Sequence, residues 1–293
     1  MFAEACSRVS EFTRPLVVST RQQDGTVVSE FATMVVLNSD GWVMTAGHVY
    51  DSFAKYQTDL NKAKEIAQIN ESRQARQGAP SPQIRLDPTM LTNHSFWWGW
   101  DGVRMTTAHM YRQLDIVVGK LEPFNPDWVR EYPVLRDPES FRPGTSVCVA
   151  GYAFMNVNAT WDEPTKSFRL PRIPQKEFLF YNSGIFSRRV GRGVSANDGF
   201  EVSFVETSCP GCRGQSGGPI FDTEGRVCAL QSCTEHLPLG FHPTVEFEGT
   251  TTVEHQFLNL GRGLHVGTIR SILDKHGIRY DAEGDESGFR IVG

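Results

Sequence analysis

Short runs of β-branched and aromatic residues, each followed by a turn signal, recur along most of this chain and indicate strands. The run at 26–37 is followed by a turn at 38–41 and a second run at 42–45, which predicts a hairpin. Another turn is predicted at 222–225. Further runs that predict strands lie at 114–121, 146–152, 178–181, 184–187, 201–204 and 227–230. Many short strands joined by turns are typical of barrels and sandwiches.

Two segments depart from this pattern and predict helices. Between residues 51 and 78, apolar residues such as Phe53, Tyr56 and Leu60 recur at intervals of three or four positions. The segment 78–82 contains a glycine and two prolines, which end this predicted helix. Near the end of the chain, apolar residues at helical spacing predict a C-terminal helix over about 267–276.

The segment 123–143 contains five prolines and is predicted to connect two halves. The fold class is therefore predicted as all-β, with two β-barrels in tandem: an N-terminal barrel at 1–130 and a C-terminal barrel at 131–293. The first helix and the aromatic residues at 96–100 predict a helical insertion at about 51–100. This insertion either covers the surface of the barrel or forms a lid or docking element.

Composition argues against several classes of function. The chain of 293 residues carries a net charge of −5, so we expect no binding to nucleic acid and no attraction to anionic membranes. No apolar run is long enough to cross a bilayer. Residues 1–14 lack the apolar core of a secretory signal, which favours a cytoplasmic location with cysteines that are mainly thiols.

Ser216 is the candidate nucleophile, and it lies in the segment 214–219, which reads GQSGGP. A serine hydroxyl attacks a carbonyl only when a base accepts its proton and hydrogen-bond donors stabilise the resulting oxyanion. The flanking glycines allow positive φ and a close approach of substrate, and the N–H groups of Gly214 and Ser216 are the predicted oxyanion hole. The competing interpretation is a flexible turn.

A second enzymatic interpretation comes from the same residues. The sequence around Ser216 also satisfies G-x-S-x-G, the nucleophile elbow of α/β-hydrolases, in which a helix follows the serine directly. Here two glycines, Pro219 and a predicted hairpin follow instead. No downstream carboxylate lies in the setting of a buried strand, so we disfavour this interpretation.

His48 and Asp115 are the candidate base and acid. His48 follows an apolar strand and the small residues Ala46 and Gly47, which favour close backbone packing. Asp115 is predicted to lie inside the apolar strand 114–118, where a carboxylate is costly to bury unless it is hydrogen-bonded. Holding the Nδ1–H of a histidine would satisfy it and fix the tautomer. The alternative is an aspartate at a strand edge that points to water.

These segments resemble the motifs of the trypsin-like serine peptidases, which have the chymotrypsin fold. The resemblance rests on 45–48 (TAGH), 114–118 (LDIVV), 214–219 (GQSGGP) and 263–266 (GLHV), in the family's order of His, Asp and Ser. It implies two six-stranded barrels with the active site in the cleft between them. It also implies a serine endopeptidase that acts on protein or peptide substrates through an acyl-enzyme intermediate, and we expect no cofactor.

Two positions depart from the best-known family members. Gln215 stands where many members that are activated from a zymogen have an aspartate, which favours the bacterial, HtrA-like branch and disfavours activation by N-terminal cleavage. Pro210 stands where trypsin-type enzymes have the aspartate that binds Lys or Arg. We therefore expect no preference for basic residues through that device. Arg262, near the expected pocket wall, suggests an acidic substrate residue as one alternative.

The resemblance also implies where substrate binds. An extended substrate would add as a strand along 230–233, so Gln231, Ser232 and Cys233 are predicted to contact it. By analogy with many relatives, Ser232 is also expected to contact the carboxylate of Asp115.

Four cysteines follow the spacing C-x2-C, then fifteen residues, then C-x4-C. Taken alone, this spacing suits a zinc site. A metal there would compete for space with the catalytic backbone, and by family analogy Cys212 and Cys233 could instead form a disulfide. Free thiols are the favoured interpretation. The four residues are Cys209, Cys212, Cys228 and Cys233.

Other functions remain open at this level. A peptide-binding pseudoprotease or scaffold on the same fold is the main alternative, although the complete set of His48, Asp115 and Ser216 argues against it. An esterase is a further one. Restraint of such a peptidase in the cell could come from a regulatory partner protein, the insertion or a disordered oxyanion loop.

Overall fold

The computed structural model, which describes residues 2–77, 83–173 and 175–284, contains two large β-sheets. The first sheet has six antiparallel strands, hydrogen-bonded in the order β4-β1-β2-β3-β6-β5. In chain order they are β1 (Thr13–Gln22), β2 (Val27–Val36), β3 (Trp42–Ala46), β4 (Leu91–Trp97), β5 (Arg104–Tyr111) and β6 (Ile116–Glu122). Within the described residues the edge strands β4 and β5 do not pair, so this sheet is a half-barrel.

The second sheet closes into a barrel. Its order is β13-β8-β11-β12-β17-β14, and pairing of β13 with β14 completes the ring. Outside the ring, β7 pairs with β14 and β18 pairs with β7, both in parallel. Two separate hairpins, β9–β10 and β15–β16, extend from it. The strands are β7 (Val134–Leu135), β8 (Ser146–Gly151), β9 (Thr160–Asp162), β10 (Ser167–Arg169), β11 (Phe180–Val194), β12 (Glu201–Thr207), β13 (Pro219–Phe221), β14 (Val227–Pro238), β15 (Thr244–Phe247), β16 (Thr250–Val253), β17 (Phe257–His265) and β18 (Asp281–Ala282).

In the described part of the chain three α-helices accompany the sheets: α1 (Ala3–Ser10), α2 (Asp51–Gln77) and α3 (Val266–Lys275). The predicted all-β class with two barrel units, a helical insertion and a C-terminal helix is thus confirmed, with the correction that the first unit is open. The predicted helix stop at 78–82 lies outside the described residues. Phe96 and Trp97, in the aromatic part of the predicted insertion, belong to the strand β4, which pairs with β1. The helix α2 therefore lies outside the sheet, whereas β4 is part of it.

The N-terminal helix α1 contacts the second barrel, although it directly precedes the first strand of the half-barrel. Tyr181 donates from Oη to the carbonyl of Cys6 at 3.2 Å, and the rings of Phe2 and Phe221 meet edge to face at 6.0 Å. One cluster of buried apolar side chains includes residues of both sheets. These contacts fix the two units against each other and so fix the cleft between them.

No helix among the described residues combines the length and the apolar character needed to span a bilayer.

Candidate active site

His48 is carried by a 3-10 turn, Gly47–Tyr50, that follows β3 directly. The sequence predicted this histidine at the end of the strand, whereas in the structure it is the second residue of the turn. A Cβ atom on Gly47 would come within 3.2 Å of the carbonyl carbon of Asp115, tighter than ordinary packing. The small residue therefore allows the turn to approach the segment that carries the candidate acid.

Asp115 does not lie inside the strand, which corrects the prediction from the sequence. It follows a short 3-10 turn, Arg112–Leu114, and immediately precedes β6. Its backbone is left-handed, with φ of 54° and ψ of 46°, a conformation that aspartate tolerates better than most residues. This turn takes the side chain off the alternation of the strand and directs it toward His48.

The carboxylate of Asp115 holds His48 in a fixed orientation. Nδ1 of His48 lies 2.9 Å from Oδ2 and 3.0 Å from Oδ1, and the backbone N–H of His48 donates to Oδ1 at 2.7 Å. The hydroxyl of Ser232 donates to Oδ2 of the same carboxylate. With Nδ1 as the donor, Nε2 of the neutral ring carries no proton and can accept one.

These contacts also shift both pKa values. The hydrogen bond to Asp115 raises the pKa of His48 above its ordinary value, against the opposing effect of burial, and the negative charges of Asp115 and Asp51 act in the same direction. Burial tends to raise the pKa of Asp115. The hydrogen bonds from His48 and Ser232 outweigh this effect and hold that pKa below its ordinary value. Asp115 is therefore ionised at neutral pH.

The loop that carries Ser216 is built from tight backbone contacts. The carbonyl of Ser216 accepts from the N–H of Thr33 at 2.8 Å, which joins the loop to β2 of the other unit. Gly214 and Gly217 have φ values of +97° and +80°. A Cβ atom at these positions would overlap the carbonyl oxygens of Tyr152 and Thr33 respectively. The glycines of the motif are thus required by both conformation and space.

The two N–H groups that the sequence predicts as an oxyanion hole have no acceptor among the described residues. Among the described residues, neither the N–H of Gly214 nor that of Ser216 has a hydrogen-bond acceptor. The preceding carbonyl, of Arg213, accepts from the N–H of Phe154 at 3.0 Å. Because the peptide unit is trans, this bond directs the N–H of Gly214 to the opposite side.

The side chain of Gln215 makes contacts that the sequence did not predict. Its side chain is fully buried. Oε1 accepts from the N–H of Cys212 at 2.8 Å, and Nε2 donates to Oδ1 of Asn182 at 2.9 Å. This clasp fastens the loop to β11 by neutral hydrogen bonds, where zymogen-type relatives use a charged aspartate. Its only signal in the sequence was the position next to Ser216.

His48 and Ser216 line the same two recesses, of about 240 and 350 Å³. The hydroxyl of Ser216 donates to the carbonyl of Ser232 at 3.4 Å. Among the described residues this is the only hydrogen bond of the Ser216 hydroxyl, so Oγ is not bonded to Nε2 of His48. The three candidate residues therefore share one cleft, with Asp115 bonded to His48 and Ser216 beside them.

Of the predicted substrate-binding residues, all but one line the larger recess. Gln231, Ser232 and Cys233 line it, whereas Pro210 is exposed and is not one of its lining residues. The N–H and carbonyl of Gln231 are already bonded to Gly218 and Gly217 at 2.8 Å each. Substrate pairing along this strand therefore cannot begin at Gln231, and the carbonyl of Ser232 is the first acceptor within reach of Ser216.

Arg262 is engaged elsewhere. Its Nη1 lies 2.6 Å from Oε1 of Glu235, and its guanidinium stacks over the ring of Phe204 at 4.7 Å. An ion pair already neutralises this side chain, which weakens the suggestion that it binds an acidic substrate residue.

The four cysteines do not form a zinc site in the structure. All are free thiols, and the described residues contain no group of three or more His, Cys, Asp or Glu side chains that could hold a metal. Cys209 and Cys228 are buried in the core of the second barrel, whereas Cys233 is exposed. Burial raises the pKa of each of these thiols, which disfavours the thiolate that zinc requires.

The chain is similar to known peptidases in sequence and in fold. A family model described as a trypsin-like peptidase domain matches residues 32–230. Among solved structures, the HtrA-type protease AlgW with tripeptide is similar at 14% identity and a TM-score of 0.47, covering 94% of this chain and 63% of that one. The same protease with decapeptide gives 13% identity and a TM-score of 0.47, covering 93% and 65%. This chain thus spans less than two thirds of the length of those structures. No match is found among curated proteins.

Proposed function

Because this chain belongs to the trypsin-like peptidase family, we propose that it is a serine endopeptidase in which Ser216, His48 and Asp115 form the catalytic triad. One observation carries the proposal: the carboxylate of Asp115 bonds Nδ1 of His48 at 2.9 Å in the cleft that Ser216 also lines. That geometry leaves Nε2 free to act as a base toward the neighbouring hydroxyl.

Acylation would proceed by proton transfer through His48. Nε2 accepts the proton of Ser216 as Oγ attacks the carbonyl carbon of the substrate, and the N–H groups of Gly214 and Ser216 bind the oxyanion. The imidazolium, stabilised by Asp115, then protonates the leaving amine as the peptide bond breaks. A water molecule, deprotonated by the same nitrogen, attacks the acyl-enzyme and releases the second product.

The resting hydroxyl must turn before this step. Ser216 Oγ is held only by a long bond of 3.4 Å to the carbonyl of Ser232. Rotation about one side-chain torsion moves Oγ between staggered positions, and catalytic hydrogen bonds commonly tighten when substrate binds. The same rotation frees the carbonyl of Ser232 to accept a backbone N–H of the substrate.

The alternative, a peptide-binding pseudoprotease or scaffold, is favoured by that same resting bond. A fluorophosphonate probe separates the two functions, since it reacts only with an activated serine. We expect the probe to label the protein and to fail on Ser216→Ala. An unlabelled wild-type protein that still binds peptides would support the scaffold. Matched ester and amide substrates then separate an esterase from a peptidase.

Protein or peptide substrates, a regulatory partner and a cytoplasmic location remain predictions from the sequence. The start of α2 supports one part of the lid interpretation, because Asp51 and Ser52 line the smaller recess beside His48. The rest of the helix packs along β4, as the surface interpretation expects.

The raised pKa of His48 predicts the pH dependence of activity. The base must be neutral, so protonation of His48 abolishes activity as the pH falls. Because the hydrogen bond to Asp115 raises this pKa, the acid limb of kcat/KM should have its midpoint above about 6.5, the ordinary value for histidine. Rates measured between about pH 5 and pH 9 test this, and a midpoint below 6 would contradict the assignment.

Gln215 offers a test of the clasp. Replacing it by methionine keeps the volume and removes the bonds to Cys212 and Asn182. We expect kcat to fall about tenfold to hundredfold, less than the loss of an oxyanion donor itself, because the donors become poorly positioned. Ser208→Ala, in the segment before the loop, is the control for general disturbance of this region. An unchanged kcat in a folded Gln215→Met protein would show that the clasp is dispensable.

A further inference from the structure

The larger recess beside Ser216 has walls that are joined to each other. It is lined on one side by Gly211 and Cys212 and on the other by Gln231 and Thr234. Oγ1 of Thr234 donates to the carbonyl of Gly211 at 2.7 Å, a bond that runs from one wall to the other. A long side chain cannot pass between walls that are tied in this way.

The carboxamide of Gln231 takes up further space in the same recess. A Cβ atom on Gly211 would overlap Nε2 of Gln231, which shows that the amide lies directly against that glycine. Gln231 is 2% exposed. The amide therefore fills the space beside Gly211, and a short substrate side chain fits what remains better than a long one.

The orientation of this carboxamide is fixed by its bonding. Nε2 donates to the carbonyl of Cys233 at 2.8 Å, and because a carbonyl only accepts, the nitrogen must face that residue. Oε1 of Gln231 is buried and has no donor among the described residues. Buried acceptors are nearly always satisfied, so this oxygen is an acceptor that awaits a partner.

The positive charge beside the recess disfavours a basic substrate side chain. Arg213, at its rim, is 80% exposed, and its closest carboxylate, that of Glu30, lies 3.9 Å away. A lysine or arginine side chain would meet this positive charge and would be too long for the recess. Pro210 has no carboxylate to bind them.

We propose that Gln231 selects the residue on the N-terminal side of the scissile bond (P1) for a short side chain with a hydroxyl donor, threonine or serine. The proposal rests on the proposed function, because it places P1 in the recess next to Ser216. The hydroxyl donates to Oε1 of Gln231, while the bond between Thr234 and Gly211 limits length. Leu, Phe, Lys and Arg are excluded by size.

Matched peptides that differ only at P1 test this assignment. Threonine and valine have nearly the same shape, as do serine and alanine apart from the hydroxyl, so each pair isolates the donor. We expect kcat/KM to be about tenfold to hundredfold higher for Thr than for Val and for Ser than for Ala, because the analogue without the hydroxyl leaves the buried acceptor unpaired. In Gln231→Met both ratios should fall toward one, and Gln231→Leu serves where the methionine variant does not fold.

Labelling of Ser216 by a fluorophosphonate, measured first, distinguishes the two levels of the argument. A protein that is neither labelled nor active fails the proposed function. A labelled enzyme that cleaves after Val as fast as after Thr, or that prefers Leu, Phe or a basic residue, overturns the P1 assignment alone. Ratios that stay unchanged in the Gln231 variants would show that another residue selects P1.

Discussion

Replacing Ser216 by alanine should lower kcat about a million-fold on any peptide that the wild-type protein cleaves, because the covalent route is lost. Replacement of His48 by alanine should cost about as much, and the double variant no more, since the two residues act as a unit. The measurement is the steady-state rate of peptide hydrolysis together with the thermal midpoint of unfolding.

Ser10→Ala is a suitable control, because this serine lies at the end of α1 and its hydroxyl, among the described residues, donates only to the carbonyl of Ser7. It should leave the rate unchanged within about twofold, as expected for a surface substitution. A Ser216→Ala protein that retains a tenth of the wild-type rate would contradict the assignment of the nucleophile.

Asp115→Asn should reduce kcat about ten-thousandfold at neutral pH while the fold is preserved. The carboxylate accepts the Nδ1–H of His48 and leaves Nε2 unprotonated. An amide in its place can donate to Nδ1, which drives the proton of the ring to Nε2 and leaves no base for Ser216. The loss therefore arises from the wrong tautomer and should appear in kcat rather than in KM.

Asp51→Asn is the matched control for this substitution. Asp51 raises the pKa of His48 by its charge, and it has no hydrogen bond to that ring among the described residues. Its replacement should shift the acid limb to slightly lower pH and change kcat less than tenfold. If both asparagine variants had equally small effects, Asp115 would not be the orienting acid.

The site motifs were readable from the sequence because their chemistry is local. Around Ser216 the glycines are required by backbone conformation and close contacts, so the segment can be recognised from a few neighbouring residues. The same holds for His48, whose neighbour Gly47 permits the approach of Asp115. The predicted setting of Asp115 was wrong because alternation in an apolar run does not show a single left-handed residue that ends a turn.

The strand β1 and the helix α1 are among the elements of the fold that the sequence did not predict. The strand β1 contains Pro15, which ordinarily argues against a central strand. The structure accommodates it because β4 pairs with β1 only from Val17 onward, so Pro15 faces β2 alone. The helix α1 is stabilised by the second barrel, through partners such as Phe221 that are distant in sequence. Neither fact is visible in a window of neighbouring residues.

Side-chain roles that depend on contacts between distant segments were also missed. Gln231 was predicted to bind substrate through its backbone, but its N–H and carbonyl are already used by Gly218 and Gly217. The carboxamide is what remains, and its environment is set by Gly211, twenty residues earlier in the chain. Only the pairing of strands and loops in three dimensions reveals it.

The neutral clasp made by Gln215 has a consequence for how catalytic competence is acquired. Its partners, Cys212 and Asn182, both belong to the second barrel, so the clasp closes when that barrel folds. If Gly214 and Ser216 form the proposed oxyanion hole, these neutral bonds would order it without a liberated ammonium group or a change in ionisation. In such a molecule the loop around the nucleophile becomes ordered when the chain folds. Control of the activity would then depend on the supply of substrate or on blocking of the cleft.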